Sequence, residues 1–190
     1  MKNIERKGII VLEDGTYFEG YGFGATKEID GEFVFNTGMV GYPESMTDPS
    51  YQGQILTFTY PLIGNYGVPD PDLRDKWGIP KFFESDGFDL ITEIDIKKYN
   101  DLENPNFIKC SGIVVHELCK EPSHWNCKMT LDEWMKKEGI PGVEWIDTRE
   151  LTKKLRIKAF VFLKPSNFCK KMRRTWPPSG NSINLFSVRG

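Results

Sequence analysis

Short apolar runs separated by turn residues fill the first sixty positions, and this spacing predicts β structure. Strand candidates occupy residues 8–12, 16–20, 31–37 and 54–60. Asp14-Gly15, between the first two, is a strong hairpin signal because both residues tolerate positive φ. Residues 54–60 are rich in β-branched and aromatic side chains, which fit a pleated, half-buried surface. The chain is therefore expected to begin with a sheet.

Two helices are predicted later in the chain by their N-capping patterns. Thr130 and Glu133 have the spacing of a capping box, and Gly139 is placed to end that helix. Asp147 and Glu150 repeat the spacing. Strand candidates at 111–118, 143–146 and 159–163 accompany the helices. Strands first and helices later predict sheet layers with helices on one side, an α/β fold.

Length and composition limit the class of protein. The chain has 190 residues, which suits one domain, and four cysteines, too few for a disulfide scaffold. No apolar run approaches the roughly 20 residues of a membrane-spanning helix. The N-terminus lacks the apolar region and cleavage site of a secretory signal. We therefore expect a soluble, cytoplasmic protein that does not bind membranes.

Charge is distributed unevenly along the chain. Residues 151–190 carry ten Lys and Arg side chains and no acidic ones, whereas the whole chain has 25 basic and 27 acidic residues. A basic end can bind nucleic acid or an acidic partner. We expect no nucleic-acid binding, because no recognition motif accompanies the charge. Residues 86–109 are polar and are predicted to form a surface insert.

Catalytic and metal-binding chemistry is not expected from the residue patterns. None of the cysteines stands in the Gly-x-Cys-x-Gly setting of a nucleophile elbow; they are Cys110, Cys119, Cys127 and Cys169. His116-x-x-Cys119 and His124-x-x-Cys127 offer four soft ligands, but the four-residue spacer is shorter than that of zinc fingers. We expect no catalytic residue, no metal and no cofactor.

A glycine-rich stretch at residues 20–27 has a superficial likeness to a phosphate-binding loop. It lacks the Gly-Lys-Ser/Thr ending of such loops, and Tyr21 and Phe23 are bulky residues within it. Glycines at the end of a strand are the preferred interpretation.

Several longer segments are more specific than composition. They lie at 12–20, 31–44 and 47–67, with later ones at 122–125, 130–134, 139–142 and 146–156. The strongest begins Thr47-Asp48-Pro49-Ser50-Tyr51. Together they resemble the N-terminal domain of the small (glutaminase) subunit of glutamine-dependent carbamoyl-phosphate synthase, and residues 82–85 are closest to the version that opens a eukaryotic multifunctional pyrimidine-pathway polypeptide.

The resemblance implies a layered β/β/α domain, similar to swivelling domains, with mixed sheets. It implies two partners, an amidotransferase domain and the synthetase subunit or domain, in synthesis of carbamoyl phosphate from glutamine, bicarbonate and ATP for pyrimidine or arginine production. It also implies that Ser50 contacts glutamine in the complete enzyme; the alternative is that Ser50 only caps the turn after Asp48-Pro49. We expect no amidotransferase domain in this chain, which alone should be inactive.

The end of the chain departs from the family pattern. Residues 157–162 lack the glycine that the family has there. We therefore divide the chain into a domain at 1–160, with the insert at 86–109, and a basic divergent tail at 161–190. The competing hypothesis is a stand-alone interaction module that binds an acidic partner through this tail.

Overall fold

A mixed β-sheet is the framework of the computed structural model, which describes residues 6–12, 14–70, 73–77, 81–84, 107–157 and 184–188. The strands are β1 Arg6–Val11, β2 Tyr17–Gly24, β3 Ile29–Gly31, β4 Phe33–Asn36, β5 Ile55–Phe58, β6 Leu62–Ile63, β7 Gly112–Val114, β8 Glu117–Leu118, β9 Pro141–Glu144 and β10 Asn184–Val188. The helices are α1 Tyr42–Thr47, α2 Leu131–Glu138 and α3 Thr148–Ile157, with a 3-10 helix at Pro49–Tyr51. Within these ranges, no helix has the length and apolar character needed to cross a membrane.

The predicted hairpin joins β1 to β2, which pair antiparallel. Gly15 has a φ of 82°, and the Asp14 carboxylate accepts a hydrogen bond from the Thr16 amide at 2.8 Å. The glycine-rich stretch runs through the end of β2 into the following loop. The Asp-Gly signal and the strand interpretation of those glycines are both confirmed.

Eight strands form one sheet in the order β3-β10-β1-β2-β9-β7-β5-β4. The two strands at its ends, β3 and β4, are separated along the chain only by Glu32. Two peptide units span at most about 7 Å, so the two ends of the sheet must meet. The sheet therefore curls into a barrel, with an inner and an outer face. The expected α/β fold with a mixed sheet is confirmed.

Alternate residues of the strands enter two separate hydrophobic cores, as the two-residue period of a strand requires. In β5, Ile55 enters the inner core and Leu56 the outer one; in β7, Ile113 is outer and Val114 inner. The inner core consists of Ile10, Leu12, Phe33, Ile55, Val114, Val143, Ile146 and Leu151. The outer core is larger and rich in aromatic side chains, among them Tyr42, Phe58, Phe83, Phe107 and Trp134.

The helices are divided between the two cores. Helices α1 and α2 bury Met46 and Trp134 in the outer core, whereas α3 buries Leu151 in the inner core. Helix α3 packs there because its apolar face closes against the barrel interior. The capping box of Thr130 and Glu133 is present, and Gly139 ends α2 with a φ of 71°.

Several segments differ in detail from the sequence expectations or lie outside the described residues. The strand predicted at 111–118 divides into β7 and β8, and β8 pairs with β6 in a separate two-stranded sheet. Helix α1 was missed because its six residues are too few for a helical period. The strand predicted at 159–163 and most of the 86–109 insert lie outside the described residues. Strand β10 pairs with β1 and β3, and the division at residue 160 stays a prediction.

Candidate functional site

Helix α1 separates the two loops on which the candidate site depends. Its N-cap, Gly41, has a φ of 80°, a conformation that glycine adopts without steric cost. The Tyr66 hydroxyl accepts hydrogen bonds from the amides of Gly41 and Tyr42, at 2.7 and 3.1 Å. The rings of Tyr42 and Tyr66 stack with centroids 4.3 Å apart, and the Tyr42 hydroxyl donates to the carbonyl of Gly67. The start of α1 is thus fixed by buried aromatic contacts.

Ser50 lies in the 3-10 helix that follows α1. The Asp48 carboxylate accepts a hydrogen bond from the Ser50 amide at 2.8 Å, and the amides of Tyr51 and Gln52 close the turn onto the carbonyls of Asp48 and Pro49. Asp48 therefore caps this turn with its side chain. The side chain of Ser50 is exposed.

The hydroxyl of Ser50 takes no part in that capping. Within the described part of the chain it makes no side-chain hydrogen bond, because the turn engages only its backbone amide. The alternative to a ligand contact was that Ser50 only caps this turn. The side chain that caps the turn is that of Asp48. The turn holds the Ser50 backbone in place and leaves the hydroxyl open to a ligand.

Glu44 is a second polar residue of α1 that stands out, and no sequence pattern gave it a role. Its Oε2 atom is buried and, within the described ranges, has no hydrogen-bond partner. Burial raises the pKa of this carboxyl, and the nearby Glu84 raises it further. A carboxyl in this setting resists ionisation more than a solvated one does.

An exposed apolar surface lies beside the start of α1, and we call it the α1 apolar patch. Met39, Val40 and Trp125 expose 67%, 77% and 87% of their surface. Tyr66, which binds the amide of Gly41, connects them, because its ring packs edge-on to His124, the neighbour of Trp125. The sequence alone does not reveal this patch, because Val40 and Trp125 are 85 positions apart in the chain and share a surface only after folding.

The histidines and cysteines that suggested a metal site have other contacts. The His116 Nδ1 atom lies 3.1 Å from the Ile146 carbonyl, and the His124 Nδ1 atom accepts a hydrogen bond from the Asn126 amide. The Cys127 thiol contacts the Met129 carbonyl at 3.5 Å. Among the residues that the structure describes, no three potential ligands form a metal-sized cluster.

The one fully buried thiol is that of Cys110, taking the described residues alone. Burial raises its pKa to about 12, so the thiol is protonated at neutral pH and is a poor nucleophile. Cys119 and Cys127 are half-buried, and Cys169 lies outside the described residues.

Comparison with known proteins gives a consistent match. The family model "Carbamoyl-phosphate synthase small chain, CPSase domain" matches residues 10–162. The chain is 48% identical over 154 residues to the Multifunctional protein URA2 of Saccharomyces cerevisiae, a match covering 80% of this chain and 6% of that protein. It is 46% identical over 153 residues to the carbamoyl phosphate synthase small chain of Pyrococcus furiosus, covering 80% of this chain and 35% of the relative.

A third relative is the arginine-specific carbamoyl phosphate synthase small chain of Saccharomyces cerevisiae, 43% identical over 156 residues, or 82% of this chain and 33% of the relative. The chain thus spans about a third of these small chains and a far smaller share of the multifunctional protein. The family model covers well over half of the chain, including α1 and Ser50. The chain belongs to the carbamoyl-phosphate synthase small-chain family and corresponds to the N-terminal domain of that subunit.

Proposed function

We propose that this chain serves as the non-catalytic N-terminal domain of a glutamine-dependent carbamoyl phosphate synthase in the cytoplasm. In this role it docks the glutaminase onto the synthetase, and the assembly makes carbamoyl phosphate from glutamine, bicarbonate and ATP. Family membership supports a subunit role, and the relatives include both arginine-specific small chains and a multifunctional protein. The product serves arginine or pyrimidine synthesis.

The observation that carries the docking role is the α1 apolar patch. Met39 and Val40 are neighbours in one loop, and both are more exposed than large apolar side chains usually are in a monomer. Trp125, the most exposed tryptophan in the described part of the chain, is of a residue type that often dominates binding energy at interfaces. Burial of these side chains against a partner would stabilise the assembly.

Ser50 lies just beyond the far end of α1, a helix of six residues and therefore about 9 Å long, which begins after the loop of Met39 and Val40. A partner that covers the patch would therefore also reach the turn of Ser50. We infer that the partner at this position is the amidotransferase domain and that Ser50 gives its free hydroxyl to glutamine bound there.

Binding of the purified chain to the synthetase and to the amidotransferase domain tests the docking role. Sedimentation velocity should give a complex with the wild-type chain, and the double substitution Met39→Ser/Trp125→Ser should weaken it at least about tenfold, since each removes an anchor worth more than 1 kcal/mol. Tyr17→Ser, at a residue 52% exposed on β2, is the matched control and should bind normally. A wild-type chain that binds neither part would contradict docking, and capture of an acidic partner instead would favour the stand-alone module.

Ser50→Ala in the complete enzyme tests the glutamine contact. Loss of one neutral hydrogen bond is worth about 0.5–1.5 kcal/mol, so the KM for glutamine should rise roughly two- to twelvefold. Synthesis from free ammonia should not change, because ammonia bypasses the glutamine site. Asp48→Ala is the contrast: it removes the turn cap and should impair stability as well. Unchanged glutamine kinetics in Ser50→Ala would show that the hydroxyl contacts no ligand.

A further inference from the structure

A concave site lies away from the α1 apolar patch, and we call it the strand-end cleft. It has a volume of about 730 Å³, within the range of small-molecule sites. Its walls include Thr37, Thr59 and His116 on one side and Arg149, Lys153 and Arg156 on the other. The cleft shares no residue with the patch or with the Ser50 turn.

The position of the cleft follows from the topology of the sheet. Strands β4, β5, β7 and β9 are adjacent, and each pairs parallel with the next. Thr37 and Thr59 directly follow β4 and β5, and His116 follows β7 by two residues. Helix α3 follows β9 and closes the other wall. Ligands of α/β proteins commonly bind at the carboxyl ends of parallel strands, and this cleft lies at that edge of the sheet.

Three cations form a row along the α3 wall. Arg149, Lys153 and Arg156 are spaced i, i+4 and i+7, so they lie on one face of the helix. All three side chains are exposed. Lys153 has a loose ion pair with Glu150 at 3.8 Å, whereas neither arginine has an ion pair within the described ranges. Neighbouring like charges repel one another, and a bound anion would relieve that repulsion.

Polar groups on both sides of the cleft offer hydrogen-bond acceptors. The Thr59 hydroxyl donates to the Asn36 carbonyl, so its oxygen is left to accept. Thr152, on α3, likewise donates to the Thr148 carbonyl. A carbonyl can only accept, so the His116 Nδ1 atom donates in its contact with Ile146, and Nε2 is left for a ligand. Asp147 adds a carboxylate to this lining.

We infer that the strand-end cleft binds a small phosphate ester that carries hydroxyl groups, such as a sugar phosphate. The phosphate lies against the row of cations, where the planar guanidinium groups of Arg149 and Arg156 can each donate two hydrogen bonds to its oxygens. The hydroxyl groups of the ligand donate to the oxygens of Thr59 and Thr152 and to His116. The cations and the acceptor groups of the cleft thus match the two ends of one ligand.

Titration calorimetry on the full chain at low ionic strength tests this site with glucose 6-phosphate, inorganic phosphate and glucose as probes. Glucose 6-phosphate should bind with a Kd at or below about 1 mM, which corresponds to about 4 kcal/mol. Inorganic phosphate should bind more weakly and glucose should not bind measurably. A hexaglutamate peptide is the fourth probe, because carboxylates of a partner protein could also bind cations.

Two double variants of equal charge locate the site. Arg149→Gln/Arg156→Gln should weaken glucose 6-phosphate binding about a hundredfold, since each lost hydrogen bond to a charged group typically weakens binding tenfold or more. Lys137→Gln/Lys154→Gln removes the same two charges from positions that do not line the cleft, and should bind normally. Thermal unfolding of each variant confirms that it is folded.

Thr59→Val tests the acceptor groups separately from the cations. It should weaken glucose 6-phosphate binding several-fold and leave phosphate binding unchanged. The inference is overturned if glucose 6-phosphate does not saturate the chain, if both charge variants lose affinity equally, or if hexaglutamate binds more tightly than glucose 6-phosphate. Equal affinity for phosphate and glucose 6-phosphate would overturn the assignment of a hydroxyl-bearing ligand.

Discussion

The outer and inner cores of this domain differ in composition and in what they support. The outer core is rich in aromatic side chains and lies beneath α1 and α2, next to the Ser50 turn and the α1 apolar patch. The inner core is mostly aliphatic, fills the barrel and supports α3, on which the cations of the strand-end cleft lie. Each core thus underlies one of the two proposed binding surfaces.

The difference reflects the space that each core has. Outside the barrel, large rings fit, and their polar atoms can reach partners: the Trp134 indole donates to Glu138 at 2.9 Å. Inside the barrel the strands approach closely, and a Cβ atom added at Gly20 would lie 2.1 Å from the Glu144 carbonyl. The outer core should therefore be sensitive to removal of volume, and the barrel to its addition.

Trp134→Ala should have the largest effect on stability, lowering the free energy of unfolding by about 3–5 kcal/mol. The substitution empties a fully buried site against Phe83 and deprives the half-buried Glu138 carboxyl of one hydrogen bond. Urea denaturation measures the loss. Trp134→Phe, which keeps most of the volume, should lose much less; equal losses would mean that the hydrogen bond, and not the volume, matters here.

Gly20→Ala should be next, destabilising the barrel by about 1–3 kcal/mol because the methyl group forces β2 away from the end of β9. Gly139→Ala is the control: its Cβ would meet no atom of the described residues within 4 Å, but its φ of 71° still disfavours alanine. A smaller loss at Gly20 than at Gly139 would contradict the importance of close strand approach. The same urea titration compares them.

Local signals predicted much of this fold, and long-range placement could not be predicted. The Asp14-Gly15 hairpin and the Thr130 capping box depend on neighbours within three residues, and both are confirmed. Closure of the barrel depends on β10 pairing with β1 and β3, and the paired residues Gly8 and Asn184 are 176 positions apart in the chain. Ser50 was predicted from a family motif, whereas the α1 apolar patch and the strand-end cleft arise only when distant loops meet.

Thr57→Val should raise stability by about 1 kcal/mol, in the opposite direction to the first two substitutions. The Thr57 hydroxyl is fully buried in the barrel, on the same face of β5 as Ile55, and has no hydrogen-bond partner among the residues that the structure describes. Replacing an unpartnered hydroxyl by a methyl group removes a desolvation penalty. Thermal unfolding measures the gain, with Thr47→Val as the contrast because the Thr47 hydroxyl bonds the Pro43 carbonyl and the Glu84 amide. A loss of stability in Thr57→Val would mean that the hydroxyl has a partner.

Glu44→Gln should give the smallest change, and its sign should depend on pH. Burial and the nearby Glu84 raise the pKa of Glu44 in the folded chain. At pH values between the unfolded-state pKa and the folded-state pKa of Glu44, the folded state therefore binds more protons than the unfolded state. The stability of the wild type relative to the variant therefore falls as pH rises through that window. Near neutral pH the variant should be the more stable one, and this advantage should vanish below about pH 4, the ordinary range of glutamate.

Glu133→Gln provides the opposite case for the same measurement. Hydrogen bonds from Thr130 lower the pKa of Glu133, so its carboxylate stabilises the folded chain at neutral pH and this contribution disappears on acidification. Thermal unfolding from pH 3.5 to 7.5 should therefore give differences of opposite sign for the two variants, both shrinking towards low pH. A Glu44 variant that is less stable than the wild type at pH 7 would mean that its carboxylate is ionised and paired, and that the outer core has no unpartnered acid beside α1.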